Sequence, residues 1–399
     1  MTSHILARNG YSGRVAVAAA AAVAAATILS GCSTHAAISL PGCLTSSAAP
    51  LAVVVGVRSN VPTTQFPSAV TTLLQTAAND EQPISLIRID GSPKIFVAPK
   101  FSTNDKNSAA RGQDVIKYLN TVVNPIMSSD LRAQTPQADV LDALDLAASA
   151  TGPNGNIVVV DSGLQTVAPL RYQTPGLLMS PPSDMVNFLR QKDLLPQLKG
   201  RHVLLSGFGY TQSPQPSLNQ AQRDNLIDQW SAIVTAGGGC VTVDPAANTS
   251  PATAGLPLVS VVPLPPTPSL AGNCGTIVLS DAGSVGFIVD TANFRDPAAA
   301  QTTLQQLAAT LKKGSEHIRL IGSTSSEGGD VINNPLSRQR ADAVKSALVS
   351  LGIPASRITA VGDGSHWPGR VNDIGPGGVL LPAQAVQDRE VIVQLPKCT

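Results

Sequence analysis

Cysteine is the residue type with the most distinctive chemistry in this 399-residue chain, and there are five of them. Setting Cys32 aside leaves Cys43, Cys240, Cys274 and Cys398, an even number that can pair in three ways in an oxidising compartment. The spacing suggests Cys43 with Cys240 and Cys274 with Cys398, each bridge tying together the ends of one folded region. There is no CxxC and the five histidines are scattered, so neither a metal nor a cofactor is expected. Nor is there a G-x-S-x-G elbow, a P-loop, an H-E-x-x-H, or a G-x-G-x-x-G that follows a strand and opens a helix. Leu204-Leu205-Ser206-Gly207-Phe208-Gly209 carries two glycines after a strand, but no helix starts there. An enzyme is not expected. The remaining concentration of polar chemistry is the loop Ser323–Asn334, with Glu327 and Asp330, followed by a helix bearing Arg340. Opposite charges this close in sequence either neutralise each other or serve as handles for a ligand.

Composition narrows the field. A net charge of +1 gives no basic field for nucleic acid, and 43% hydrophobic residues are ample for folded cores. At the N-terminus, Arg8 and Arg14 precede the uncharged stretch Val15–Leu29, too short at about 1.5 Å per residue to cross a ~30 Å hydrocarbon core comfortably. Leu29-Ser30-Gly31-Cys32 follows and resembles the lipobox of bacterial lipoproteins. The resemblance implies that residues 1–32 are a signal peptide, that Cys32 takes the lipid, and that residues 33–46 tether an exported cell-envelope protein to a membrane.

The elements that must position these groups fall on either side of a Pro-rich linker, residues 248–273. In residues 47–247 the apolar runs Leu51–Val55, 84–90, 94–98, Asn156–Asp161, His202–Leu205 and Cys240–Val243 alternate with helical patterns near 66–77, 109–127, 137–150, 184–192 and 217–236. Runs without strict alternation, separated by helices, argue for a mostly parallel sheet covered on both faces. With Ala138–Leu144 and Val159-Val160-Asp161-Ser162-Gly163, the region resembles a von Willebrand factor A-type domain. That family's D-x-S-x-S metal motif is replaced by Gly56-Val57-Arg58-Ser59-Asn60, and Arg58 would repel a divalent ion. Ligands of open α/β sheets gather at the carboxyl ends of the strands. A protein partner of this region is therefore sought at Arg58, Ser59, Asn60, Asp161, Ser162 and the loop Gly207–Ser217, which carries Tyr210.

Residues 274–399 read as β-α-β-α-β-β, beginning with a strand at Val285–Asp290. Asp296 caps a helix over 297–312, His317–Gly322 is a strand, and a second helix starts at Pro335. Arg357–Val361 and Glu390–Leu395 are the last strands. The runs Val285-x-Phe287-x-x-Asp290-x-Ala292, Ile321-Gly322-x-Thr324, Asn333-x-x-Leu336-Ser337-x-x-Arg340-Ala341-x-x-Val344, Val361-Gly362-x-Gly364-x-x-x-Pro368 and Asp388-Arg389-Glu390-Val391 resemble the OmpA-like peptidoglycan-binding domain. In that family the ligand is the diaminopimelate of the peptidoglycan stem peptide. Its zwitterionic end needs a guanidinium for the carboxylate and an aspartate for the ammonium. The arginine corresponds to Arg340 and the helix asparagine to Asn333. The loop histidine and aspartate fall on Ser323 and Ser325, on either side of Thr324. Ile288 takes a place that is acidic in some members. Replacing carboxylate by hydroxyl at 325 weakens binding by roughly 10–150-fold unless Glu327 or Asp330 supplies the charge. His366 and Trp367 are further candidates to flank the ligand.

The fold expected is therefore α/β plus α+β: a doubly wound, mostly parallel sheet domain followed by an OmpA-like domain. The function expected is a lipid-anchored envelope protein that binds peptidoglycan non-covalently. The alternative is an envelope scaffold that has lost wall binding and works through protein partners.

Overall fold

The structure, a computed structural model, describes residues 42–44, 48–265, 268 and 274–396. Cys32 and Cys398 lie outside the described residues.

Two sheets organise the chain. In the first, β1 (Leu51–Val55), β2 (Ile84–Arg88), β4 (Asn156–Val160), β5 (His202–Ser206) and β6 (Cys240–Val243) run parallel, with β3 (Lys94–Val97) antiparallel at one edge. The order is β3-β2-β1-β4-β5-β6. Every residue of β1, β2 and β4 is buried, which is why these segments are mostly apolar without strict alternation, Ser85, Arg88 and Asn156 being the polar exceptions. Alternate side chains feed different cores: Ala52, Val54 and Val159 join Leu144 and Trp230 on one face, while Val53, Val55 and Val158 join Val70 and Leu73 on the other. Six helices connect the strands: α1 (Ser68–Asn79), α2 (Ser108–Tyr118), α3 (Asn124–Ser129), α4 (Val140–Thr151), α5 (Pro182–Gln191) and α6 (Gln220–Ala236). Local chemistry sets their starts. The Asp139 carboxylate accepts from the Asp142 amide, and Asn219 and Gln222 form a reciprocal capping box.

The second sheet has the order β7-β10-β8-β9, from β7 (Thr276–Ser280), β8 (Ile318–Gly322), β9 (Ile358–Gly362) and β10 (Glu390–Gln394). β8 and β9 are parallel, and β10 runs antiparallel to both of its neighbours. Helices α7 (Pro297–Leu311), α8 (Gly329–Ser350) and α9 (Pro382–Asp388) accompany it. The Asp296 carboxylate caps α7 at the Ala299 amide, with Pro297 in the first turn, as expected.

Two expectations for this region need correction. The first strand is Thr276–Ser280, not Val285–Asp290. The latter is a loop joined only by a bridge between Phe287 and Phe294, and it leaves Ile288 and Val289 exposed. The Asp281 carboxylate fixes that loop by accepting from the Phe287 amide and pairing with Arg295. The helix expected to start at Pro335 starts at Gly329, so Asp330 and Asn333 are helical and Pro335 lies inside. The amide that Pro335 lacks would have bonded the carbonyl of Val331, whose residue lies on the solvent-exposed first turn, so the missing bond falls at the surface.

Both sheets belong to one compact unit. α9 seats against the first sheet's layer: Gln387 Nε2 donates to the Pro175 carbonyl, and Met179, Ala282 and Val386 form a shared apolar cluster. At Gly176, whose φ is +94°, a Cβ would come 2.5 Å from the Ala383 carbonyl, so only glycine permits this approach. No helix among the described residues is long and apolar enough to cross a membrane.

Cys43 and Cys240 form a disulfide spanning 197 residues, and Cys274 is also disulfide-bonded. Closing so long a loop removes much unfolded-chain entropy. Replacing Cys43 and Cys240 together by serine is expected to lower unfolding free energy by about 4–5 kcal/mol, read from denaturant titration.

Candidate functional site

The loop leaving β8 is held by two arginines from elsewhere in the chain, the half-buried Arg370 and the buried Arg389. Ser326 donates its amide and its hydroxyl to Asp373, each at 2.6 Å, and Arg370 bonds Ser326, Asp373 and Asp388 at 2.7–2.8 Å. One residue earlier, Ser325 Oγ accepts from Arg389 Nε at 3.2 Å. The same guanidinium donates from Nη1 to Asp184 Oδ2 at 2.8 Å and lies 3.5 Å from Glu327 through Nη2. Asp184 sits in the first turn of α5, in the other sheet's layer, 205 residues away in sequence.

Arg340 is in a different state. It points from α8 towards the loop after Phe287 and is only 3% exposed. Its Nε donates to the Thr291 carbonyl at 3.0 Å, and its guanidinium lies 5.2 Å from the Phe287 ring centre. It forms no ion pair with a carboxylate among the described residues. Burial pushes its pKa down, the charge of Asp281 opposes that, Arg389 adds repulsion, and Asp290 attracts. Asp290 is exposed, at a positive φ of 56°, and acts through space on both Arg340 and Glu327.

The other residues singled out in the sequence divide by role. Asn333 is buried and its Nδ2 donates to the Ser325 carbonyl, so it clamps the loop rather than facing outward. The Thr324 hydroxyl is buried without a hydrogen-bond partner, an orphan polar group beside the loop. Glu327 is 56% exposed, and its pKa is raised by burial and then by the charge of Asp184. Asp330 is turned away, 2.7 Å from His366 Nε2 with both groups exposed. Sequence reasoning passed over Arg389 and Asp290 although both lie inside the quoted motifs. It had no signal for Asp184.

At the carboxyl end of the first sheet, the sites proposed for a protein partner are corrected. Arg58, Asn60, Asp161 and Ser162 are buried. Arg58 Nη2 reaches both Asp161 oxygens, at 2.7 and 2.9 Å, and Ser162 Oγ at 3.3 Å. The chain covers this end itself. Asn248 donates to Thr63, Pro62 bridges Ala252, the Val259 amide donates to Ser59 Oγ, and Val262 exchanges hydrogen bonds with Gln215. Tyr210 is half-buried with the Arg223 guanidinium 5.6 Å from its ring centre. No surface for a partner is left at the buried residues.

This is the architecture of an OmpA-like domain joined to an α/β sheet. Residues 287–374 match the OmpA family, so the C-terminal part of the chain is an OmpA-like domain. The chain is similar to the probable lipoprotein YiaD of Escherichia coli (strain K12), 39% identical over 102 residues that make up 25% of this chain and 46% of that protein. It is also similar to outer membrane protein A of Yersinia pseudotuberculosis, 34% identical over 138 residues, 33% of this chain and 38% of that one. The chain thus spans less than half the length of these curated relatives. Among solved structures, the peptidoglycan-associated lipoprotein from Burkholderia pseudomallei is 28% identical, covering 30% of this chain and 88% of that one, with a TM-score of 0.24.

Two outcomes test this geometry. Asp161→Ala leaves the Arg58 guanidinium buried without a counter-ion and is expected to cost about 3–5 kcal/mol in equilibrium unfolding. Glu390, beside Arg389, has a pKa pushed up to about 7 by burial and by the charge of Asp388. The folded state therefore holds that proton more tightly than the unfolded chain, and Glu390 lowers stability as pH rises from the ordinary carboxylate range to about 7. Glu390→Gln is expected to narrow the gap between unfolding temperatures measured at pH 5 and pH 8.

Proposed function

We propose that this protein is a lipid-anchored envelope protein that binds peptidoglycan non-covalently through its OmpA-like domain and so links a membrane to the cell wall. Cys32 is the point of lipid attachment in this reading. The wall ligand is the diaminopimelate of the stem peptide, whose free end carries a carboxylate and an ammonium.

The observation that carries the reading is Arg340. A guanidinium 3% exposed, without an acid partner among the described residues, is costly to hold in a fold. A ligand carboxylate that bonds its Nη groups supplies the missing charge through paired N–H bonds. For the ammonium, Ser325 offers no charge, and Asp330 faces His366. Glu327 and Asp290 remain, both exposed, and the charge of Asp290 acts on Glu327 through space. Thr324 contributes its unpartnered hydroxyl, and Asn333 keeps the loop closed on Ser325. The six-stranded sheet is read as a von Willebrand factor A-like fold in which Arg58 stands where a metal would otherwise face Asp161. Its strand order and the Arg58–Asp161 pair support that reading.

Sedimentation with purified diaminopimelate-containing peptidoglycan tests the proposal. The wild type is expected in the pellet, with Arg340→Ala weakened by about tenfold or more, the worth of a charge-assisted bond. Equal behaviour of wild type and variant at every concentration would contradict it.

A further inference from the structure

Arg389 is buried, and a buried guanidinium needs an anion. Its Nε rests on Ser325 Oγ, so a carboxylate at position 325 would meet and neutralise it, whereas the hydroxyl that stands there cannot. The neutralising group comes instead from the other sheet's layer: Asp184, in the first turn of α5, bonds Nη1 at 2.8 Å. Asp184 is itself buried, receives a hydrogen bond from Ser183 Oγ at 3.3 Å, and gains from the positive end of α5. The contact around it has the character of a core, with Met179, Val386 and Ala282 packed together and glycine required at 176. Glu327, by contrast, stands 3.5 Å from Arg389 and is more than half exposed.

We propose that Asp184 is a positioning residue of the wall-binding site, supplied by the first sheet's layer: by neutralising Arg389 in place of a carboxylate at 325, it leaves Glu327 held only by a loose 3.5 Å contact and able to take the ligand ammonium. Binding then requires the two layers to be docked, and the first sheet is more than a spacer. Without Asp184, Glu327 closes from that loose contact to a tight pair with Arg389 and is lost to the ligand. The proposal rests on the wall-binding reading above and extends it to a residue outside the OmpA-like domain.

The test is a cycle of variants of the full-length protein, sedimented with purified diaminopimelate-containing peptidoglycan and followed in parallel by thermal unfolding. Asp184→Asn is expected to weaken retention by about tenfold, comparable with the loss of one charge-assisted bond. Adding Ser325→Asp in that background restores a carboxylate to Arg389, and retention returns to near wild type. Ser325→Asp alone crowds three acids around one guanidinium and gains nothing. The pH profile separates positioning from mere structural support. The groups facing Glu327 are Asp184 on α5, Arg389 at the start of β10, Asp290 after Phe287 and Asp373 in the loop before α9. Removing the repulsion of Asp184 moves the acid loss of retention to lower pH.

Wild-type retention by Asp184→Asn, with Arg340→Ala defective, would overturn the role of Asp184 and leave wall binding intact. So would an unrescued double variant with an unchanged unfolding temperature, or an unshifted pH profile. A wild-type protein that does not sediment with the wall overturns both readings together.

Discussion

A charged guanidinium inside a protein must find an anion, and the OmpA-like part of this molecule is arranged around that constraint. Arg370 meets it with Asp373 and Asp388, and Arg389 meets it with Asp184. Arg340 does not. It is held by one backbone carbonyl and an aromatic face, while Arg389 repels it from nearby. The satisfied arginines fix the loop after β8. In the proposed function, the unsatisfied one is the group that takes a carboxylate from outside. Chemically identical side chains are thus given different roles by their neighbours.

The first sheet obeys the same constraint differently. Where its strand order reverses, between β1 and β4, an α/β sheet ordinarily offers a crevice to a ligand. Here Arg58 and Asp161 neutralise each other there, and the segment running from 248 to 262 closes over them. With that end sealed, α5 reaches Arg389, and through it the loop after β8, by way of Asp184.

Much of the fold was legible in the sequence because burial writes itself as composition. β1 and β4 are apolar at nearly every position, and caps such as Asp296 mark helix starts. The errors have physical causes. Thr276–Ser280 is a short edge strand with alternating exposure and polar residues at both ends, while Val285–Val289 is more apolar but is loop, with two of its side chains in solvent. Arg340, Asn333, Ser325 and Thr324 were singled out through the resemblance to OmpA-like motifs, which is readable because they share one short loop and the helix that follows. Asp184 was not legible, since its partner is 205 residues away and no local pattern distinguishes it from any helix-capping acid. Glu327 and Asp330 looked equivalent in the sequence, and the positions of Arg389 and His366 separate them.

The most direct measurement of the central claim is NMR of the arginine side chains as a soluble diaminopimelate-containing muropeptide is added. The account predicts saturable shifts of the Arg340 Nε–H and Nη resonances, with those of Arg370 and Arg58 unmoved. Resonances of Arg340 that stay fixed at saturating muropeptide would contradict it.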